Sequence, residues 1–240
     1  MARQPADNAL KGRSRRPATR EGRSAGWPHW VSGVGLGLSA LAVFGLLAWV
    51  ATSGGGSPTS LDQTVAAWFH EHRVAGLTTW MLLATGLAST VWVSGLTLVI
   101  ALGLVWHHAW HRLFTLGLIV PGGMAANYFL KLFFHRPRPM AEASLPMLAG
   151  YGFPSGHAMA ATLLYGGLVC LAWSEIDAWC WRMGAALGAF VLVALVGLSR
   201  VQLGAHYLSD VLGAFAFGVA WLAFSLAAAG SWRQRIGQDR

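Results

Sequence analysis

Charge is scarce in this sequence. Only 11% of its 240 residues are Asp, Glu, Lys or Arg, where a soluble domain carries about a quarter. Something other than water must therefore solvate much of the chain. Acids are the rarer sign, nine against 17 Lys and Arg, and they form no cluster that would bind a metal ion. Only two cysteines occur, Cys170 and Cys180, with no further Cys or His cluster at ligand spacing. They read as unpaired membrane-protein thiols and say almost nothing about redox compartment.

What the chain has instead is apolar length: 55% of its residues are hydrophobic. The formal charge of +8 would by itself admit nucleic-acid binding, but its placement argues against that. Arg3, Lys11, Arg13, Arg15, Arg16, Arg20 and Arg23 precede the first apolar run, and Arg233, Arg235 and Arg240 follow the last. Basic ends around an apolar body read as cytoplasmic flanks of a membrane protein, able also to attract anionic lipid headgroups. The Arg-, Ser- and Pro-rich start is expected to be disordered. It lacks the short charged region and brief apolar stretch of a secretory signal, so Val31–Val50 reads as a retained first span.

The expected fold class is all-α, a polytopic membrane bundle of six transmembrane helices with a short interfacial helix. The six spans are Val31–Val50, Ser89–Trp106, Leu113–Phe134, His157–Trp173, Met183–Arg200 and Ser209–Ala229. Leu77–Leu87 is apolar but short, an interfacial or re-entrant segment, with a seventh span as the alternative. Three regions follow: a disordered basic cytoplasmic tail over residues 1–29, the membrane domain over 30–230, and a cytoplasmic C-terminal tail over 231–240. Tryptophans gather near span ends, where amphipathic indoles favour the interface. With both termini cytoplasmic, Arg73, Lys131, Arg136, Arg138 and Arg200 fall on the far side, against the charge bias.

Three segments map to that far side. Lys131-Leu-Phe-Phe-His-Arg-Pro-Arg138-Pro139 closes the third span, Pro154-Ser-Gly-His157 opens the fourth, and Ser199-Arg200-Val-Gln-Leu-Gly-Ala-His206-Tyr-Leu-Ser-Asp210 joins the last two. A six-span bundle of alternating direction brings these connections to one surface. Chemically, guanidinium groups hold phosphate oxygens bidentately and Lys acts as a point charge. Ser155 and Gly156 stand where a helix begins, with unpaired N–H groups and a positive dipole that suit an anion; Ser155 also suits the N-cap. His206 and Asp210 lie four apart, a spacing that places a carboxylate beside an imidazole. Such a pair fixes the tautomer of a nucleophilic histidine, and His157 offers a second imidazole as general acid.

Together the segments resemble the type 2 phosphatidic acid phosphatase superfamily, whose signature is Lys-x6-Arg-Pro, Pro-Ser-Gly-His and Ser-Arg-x5-His-x3-Asp. All three parts are complete and in order. The resemblance implies that His206 attacks phosphorus to form a phosphohistidine, Asp210 orients it and His157 protonates the leaving group. It assigns Lys131, Arg138, Ser155, Gly156 and Arg200 to the phosphate oxygens, with no metal or other cofactor. The implied partners are a lipid phosphate and the bilayer, with no nucleic acid.

Other polar residues receive plainer readings. Arg136 lies outside the signature and is expected to contact headgroups. His70, Glu71 and His72 read as a solvated face, His107, His108 and His111 as interfacial anchors, and His135 as a rim residue. Asn127, a polar group inside the third span, is expected to bond a neighbouring helix. Gly122, Gly123, Gly166 and Gly167 read as close helix-packing positions. The Met140–Gly152 loop, with Glu142 and Tyr151, is expected to cover the site. The expected function is a membrane lipid phosphatase of the bacterial inner (plasma) membrane with its site on the periplasmic or extracellular face. Undecaprenyl diphosphate is the first substrate choice, with phosphatidylglycerophosphate or phosphatidic acid as alternatives. A catalytically silent lipid-phosphate binder or transporter is the reading from another class.

Overall fold

The computed structural model describes residues 33–72, 74–139 and 150–238. The expected N-terminal tail, Arg73 and most of the Met140–Gly152 loop, including Glu142, lie outside the described residues. Eight helices occur among those described: α1 Gly33–Thr52, α2 Ser60–Glu71, α3 Ala75–Gly86, α4 Thr90–Trp106, α5 Trp110–Phe134, α6 Gly156–Ala172, α7 Trp179–Gln202 and α8 Leu208–Gln238. There are no strands among the described residues.

Five stretches are long and apolar enough to cross a membrane, and α6 is a shorter apolar helix beside them. The all-α multi-pass reading therefore stands, with span ends differing from expectation by a few residues. The largest difference is at the end of the chain. Helix α8 runs on to Gln238, well past Ala229 and through most of the region expected to be a tail. Helix α3 has 12 residues, a length of about 18 Å against the ~30 Å of a bilayer core, too short to cross alone, and it leads into α4 within the single apolar stretch Gly76–Trp106. It packs along α7.

Many large apolar side chains face outward, including Leu46, Val91, Leu98, Val99, Leu187 and Phe190. In water such a surface would be costly; in a bilayer core it is the solvated face. The inner packing depends on small residues. A Cβ on Gly123 would stand 2.5 Å from Leu163 and 2.9 Å from Trp221, and one on Gly166 would stand 2.9 Å from Leu222. Gly122 and Gly167 make similar approaches to Trp221 and Ile119, so all four glycines are packing positions as expected. Helices α5 and α6 each contain one widened turn, Leu118–Gly122 around Pro121 and Thr162–Gly166. Such turns accommodate backbone groups that proline leaves unpaired, and Trp221 Nε1 donates to the Leu118 carbonyl at 2.9 Å.

The bundle has two chemically different ends. At one, Arg112 pairs with Glu175, and His111 Nε2 donates to the Ala229 carbonyl at 3.0 Å while the ring stacks on Trp232. The other end carries α2 and all three signature segments.

Candidate active site

Each signature segment is set by a local backbone device. Helix α7 closes on Gly204, whose φ of +72° is the left-handed region glycine favours. That turn lets the N–H groups of Ala205 and His206 donate to the Arg200 carbonyl at 3.0 and 3.1 Å, which fixes His206 beside the helix it follows. At the start of α8, Asp210 Oδ2 accepts from the Tyr207 N–H at 3.0 Å, a carboxylate in the first turn closing back on the preceding backbone. The same oxygen lies 3.5 Å from His206 Nδ1. That separation is long for a hydrogen bond, but it fixes which ring nitrogen faces the carboxylate and leaves Nε2 free.

Ser155 holds the N-cap position of α6, yet its hydroxyl makes no capping bond. It is fully buried and its Oγ has no partner. The segment is anchored by its backbone instead, the Ser155 N–H donating to the Asp210 carbonyl at 3.1 Å. Phe153, also fully buried, stacks on Phe44 at 5.8 Å and meets Phe134 edge-on at 5.1 Å. Gly213 allows this, since a Cβ there would stand 2.5 Å from the Phe153 ring.

The cations come from α5, the irregular segment that follows it, and α7. Lys131 Nζ donates to the Tyr151 carbonyl at 2.8 Å, and Arg138 Nε to the Gly150 carbonyl at 3.1 Å. A Cβ on Gly156 would lie 4.0 Å from Lys131 Cε, so the lysine reaches the open start of α6. Arg200 is buried, and its Nη1 donates to Thr85 Oγ1 at 3.1 Å. His157, half-buried, has Arg200, His206, Arg138 and Lys131 as its electrostatic neighbours. The predicted residues Lys131, Arg138, Ser155, Gly156, His157, Arg200, His206 and Asp210 therefore share one end of the bundle.

Burial pushes the His206 imidazole down to about 4, with Lys131 and Arg200 adding to the effect and Asp210 opposing it. His206 is thus neutral near pH 7, with a lone pair available on Nε2. A cavity of about 370 Å³ opens beside it, walled by Gln202 and Tyr207 on one side and by Gln63 and His70 of α2 on the other. His70, Glu71 and His72 are exposed on α2, as expected of a solvated face, although His70 also reaches the cavity. His135 is an exposed rim residue stacked edge-on against Tyr151.

Two expectations are corrected. Arg136 does not contact headgroups: it is fully buried. Its Nη1 donates to Asp210 and, at 2.7 Å, to Ser209 Oγ, its Nη2 donates to Asp62 Oδ2 at 3.0 Å, and its Nε to the Gly56 carbonyl at 3.3 Å. His135 ends α5 in the left-handed region, φ 48°, and the chain turns so that Arg136 enters the protein. Pairing with two carboxylates repays a desolvation that an unpaired guanidinium could not bear. Asn127 is the second correction. It is buried, but its Oδ1 has no partner, so the expected bond to a neighbouring helix is not made through that atom.

Sequence reasoning also passed over two residues. Asp62 accepts from Arg136, Ser209 and the Thr59 N–H, while Thr59 Oγ1 accepts from the Asp62 N–H at 3.0 Å. Thr59-x-x-Asp62 is a capping-box pattern, a signal for the start of α2 though not for its partners. Thr85, the support of Arg200, carries no sequence signal at all.

Comparisons with known proteins place the chain in a family. The PAP2 superfamily profile matches residues 109–233. Phosphatidylglycerophosphatase B of Bacillus subtilis (strain 168) is 31% identical over 137 residues, which cover 56% of this chain and 66% of that protein, just under two thirds of its length. The crystal structure of a transmembrane PAP2-type phosphatidylglycerolphosphate phosphatase from Bacillus subtilis superposes with a TM-score of 0.68 at 26% identity, covering 83% of this chain and 96% of that one. With a profile match over half of its length and a shared helical fold, the chain belongs to the PAP2 superfamily.

Proposed function

We propose that the chain is an integral membrane phosphatase that hydrolyses a phosphomonoester on a lipid headgroup, with phosphatidylglycerophosphate as substrate. The observation that carries this reading is a buried neutral His206, backed by Asp210, at the bundle end that gathers Lys131, Arg138, Arg200 and the open start of α6. Guanidinium and ammonium groups suit the equatorial oxygens of a transferring phosphoryl group. His206 Nε2 attacks phosphorus and forms the N–P bond as the P–O bond to the lipid breaks. His157 gives its proton to the departing oxygen. A water then attacks the phosphohistidine, His157 takes the water's proton, and the N–P bond breaks to release inorganic phosphate. Asp210 stabilises the imidazolium that His206 becomes during transfer.

Undecaprenyl diphosphate, the first choice from sequence, is the less supported substrate. The two relatives carry phosphatidylglycerophosphate in their names, and that similarity favours the glycerolipid phosphomonoester. We further propose that the site faces away from the cytoplasm in the inner (plasma) membrane. Arg112 and Arg182 flank the opposite end, as the positive-inside tendency requires of the cytoplasmic side.

The test is phosphate release by detergent-purified protein, with EDTA present, from phosphatidylglycerophosphate, phosphatidic acid and undecaprenyl diphosphate. Highest kcat/KM on phosphatidylglycerophosphate is expected. Preference for the isoprenoid diphosphate would reverse the substrate assignment, and no release from any of them would sink the phosphatase reading.

A further inference from the structure

Asn127 stands on the inward face of α5, one helical turn before Lys131, and only 3% of its surface is exposed. Its Oδ1 has no hydrogen-bond partner. An amide oxygen left unsatisfied inside an apolar bundle is costly, and such an orphan requires an explanation. A polar group at membrane depth is retained where a substrate or ion path uses it.

The other amide atom, Nδ2, is the one that faces the signature segments. A Cβ on Gly156 would lie 3.7 Å from Asn127 Nδ2 and 4.0 Å from Lys131 Cε. The amide and the lysine therefore converge on the first residue of α6, where backbone N–H groups are open. The neighbouring Ser155 hydroxyl is likewise buried without a partner. The Asn127 Nδ2 donor, the buried and unpartnered Ser155 hydroxyl, an ammonium group and a helix start around one point describe a built anion site. Asn127 belongs to it by position, although it lies outside the three signature segments.

We propose that Asn127 is a further phosphate-contacting residue, donating its side-chain amide to a phosphoryl oxygen in the space beside Gly156 that a side chain there would fill. This rests on the phosphatase reading above. The amide suits the place because it is neutral: it adds a directed donor without another charge to desolvate beside Lys131. The amide needs no turn to do so, because Nδ2 is the atom that already faces the Gly156 space.

The test uses Asn127→Leu, close in size, and Asn127→Asp, which has the same shape but faces the anion with a carboxylate. Full-length protein in detergent is heated over a series of inorganic phosphate concentrations, and the concentration giving half the maximal rise in unfolding temperature is compared. Wild type should be stabilised by phosphate. For Asn127→Leu the half-maximal concentration should rise about tenfold, a loss of about 1.4 kcal/mol, while the phosphate-free unfolding temperature stays level or rises. An apolar group replacing an unsatisfied amide removes no native bond. Asn127→Asp should lose the phosphate effect almost completely. A change under threefold in Asn127→Leu, or an unfolding temperature that falls with phosphate binding intact, would overturn the proposal and leave Asn127 as a packing residue. Retained phosphate binding by Asn127→Asp would overturn it as well. If wild-type protein hydrolyses its lipid yet Asn127→Leu binds phosphate normally, this inference alone fails. Wild type that neither binds phosphate nor hydrolyses any lipid removes the phosphatase reading too.

Discussion

The backbone N–H and the hydroxyl of Ser209 both donate to Asp62, 147 residues earlier in the chain, at 2.9 and 2.7 Å. These bonds fasten α2 to the start of α8, one residue before Asp210. Arg136 closes the arrangement by holding both carboxylates. Asp210 therefore faces His206 with one oxygen while the other is held by a guanidinium that the membrane-facing surface never sees.

Truncating Asp62 to Ala should destabilise the protein through the network rather than through lost apolar contact. Arg136 would keep one carboxylate and lose the other inside the protein, and breaking a buried pair costs about 3–5 kcal/mol. Thermal unfolding in detergent should show a clear decrease, with Asp62→Asn milder because it still accepts from Ser209. An unchanged unfolding temperature in Asp62→Ala would count against the network.

Asp62 and His206 both make folding weaken as pH falls, for different physical reasons. Burial raises the Asp62 carboxylate, but bonds from Ser209, Arg136 and Thr59 outweigh burial and hold it below its ordinary 3.8. A lowered carboxylate stabilises the fold above its unfolded value and loses that contribution as pH falls through its folded value. A lowered histidine acts in the same direction, in a window at higher pH. Below about 6.5 the unfolded His206 binds a proton that the folded one refuses until about 4, so folding weakens as pH drops through that window. Denaturation followed between pH 7 and 4 should register the second effect, and His206→Gln should remove it.

Turnover should depend on the same imidazole. Because His206 stays neutral down to about 4, the acid limb of kcat/KM should lie near that value rather than near the 6.5 of a solvent-exposed imidazole. A limb at 6 to 7 assigned to His206 by mutation would contradict the burial argument.

Replacing His206 by Ala should lower phosphate release by several orders of magnitude while the helices remain folded. Asp210→Asn should cost less in chemistry but should also lower the unfolding temperature, since Arg136 would lose a charged partner. Catalytic loss in Asp210→Asn without any stability change would separate the two roles that the structure assigns to one carboxylate.

Thr85→Val tests the support of Arg200. A hydrogen bond to a charged group is worth about 1.5–3 kcal/mol when removed, so kcat/KM should fall roughly tenfold or more. Restoration by Thr85→Ser would identify the hydroxyl as the part that matters.

Much of the site was legible without coordinates because its parts are short segments with chemistry of their own. Lys131, Arg138, Ser155, His157, Arg200, His206 and Asp210 announce themselves by residue type and spacing. Arg136 did not, because a charged residue beside a span end looks the same whether it turns outward or inward. Asn127 misled for a related reason: its polarity predicts a partner but not which one.

Composition and periodicity alone determined that this chain is a helical membrane bundle, since too few charges and several long apolar runs leave no other way to solvate it. Alternation of those runs also put the three signature segments at one end. The tertiary structure decided what no local pattern encodes: that α2 docks on α8 through Asp62 and Ser209, that α3 supports Arg200 through Thr85, and that Arg136 turns inward. Those outcomes depend on contacts between residues distant in the chain. Their energy comes from matching buried charges and hydrogen-bond groups, which exist only once the helices are packed.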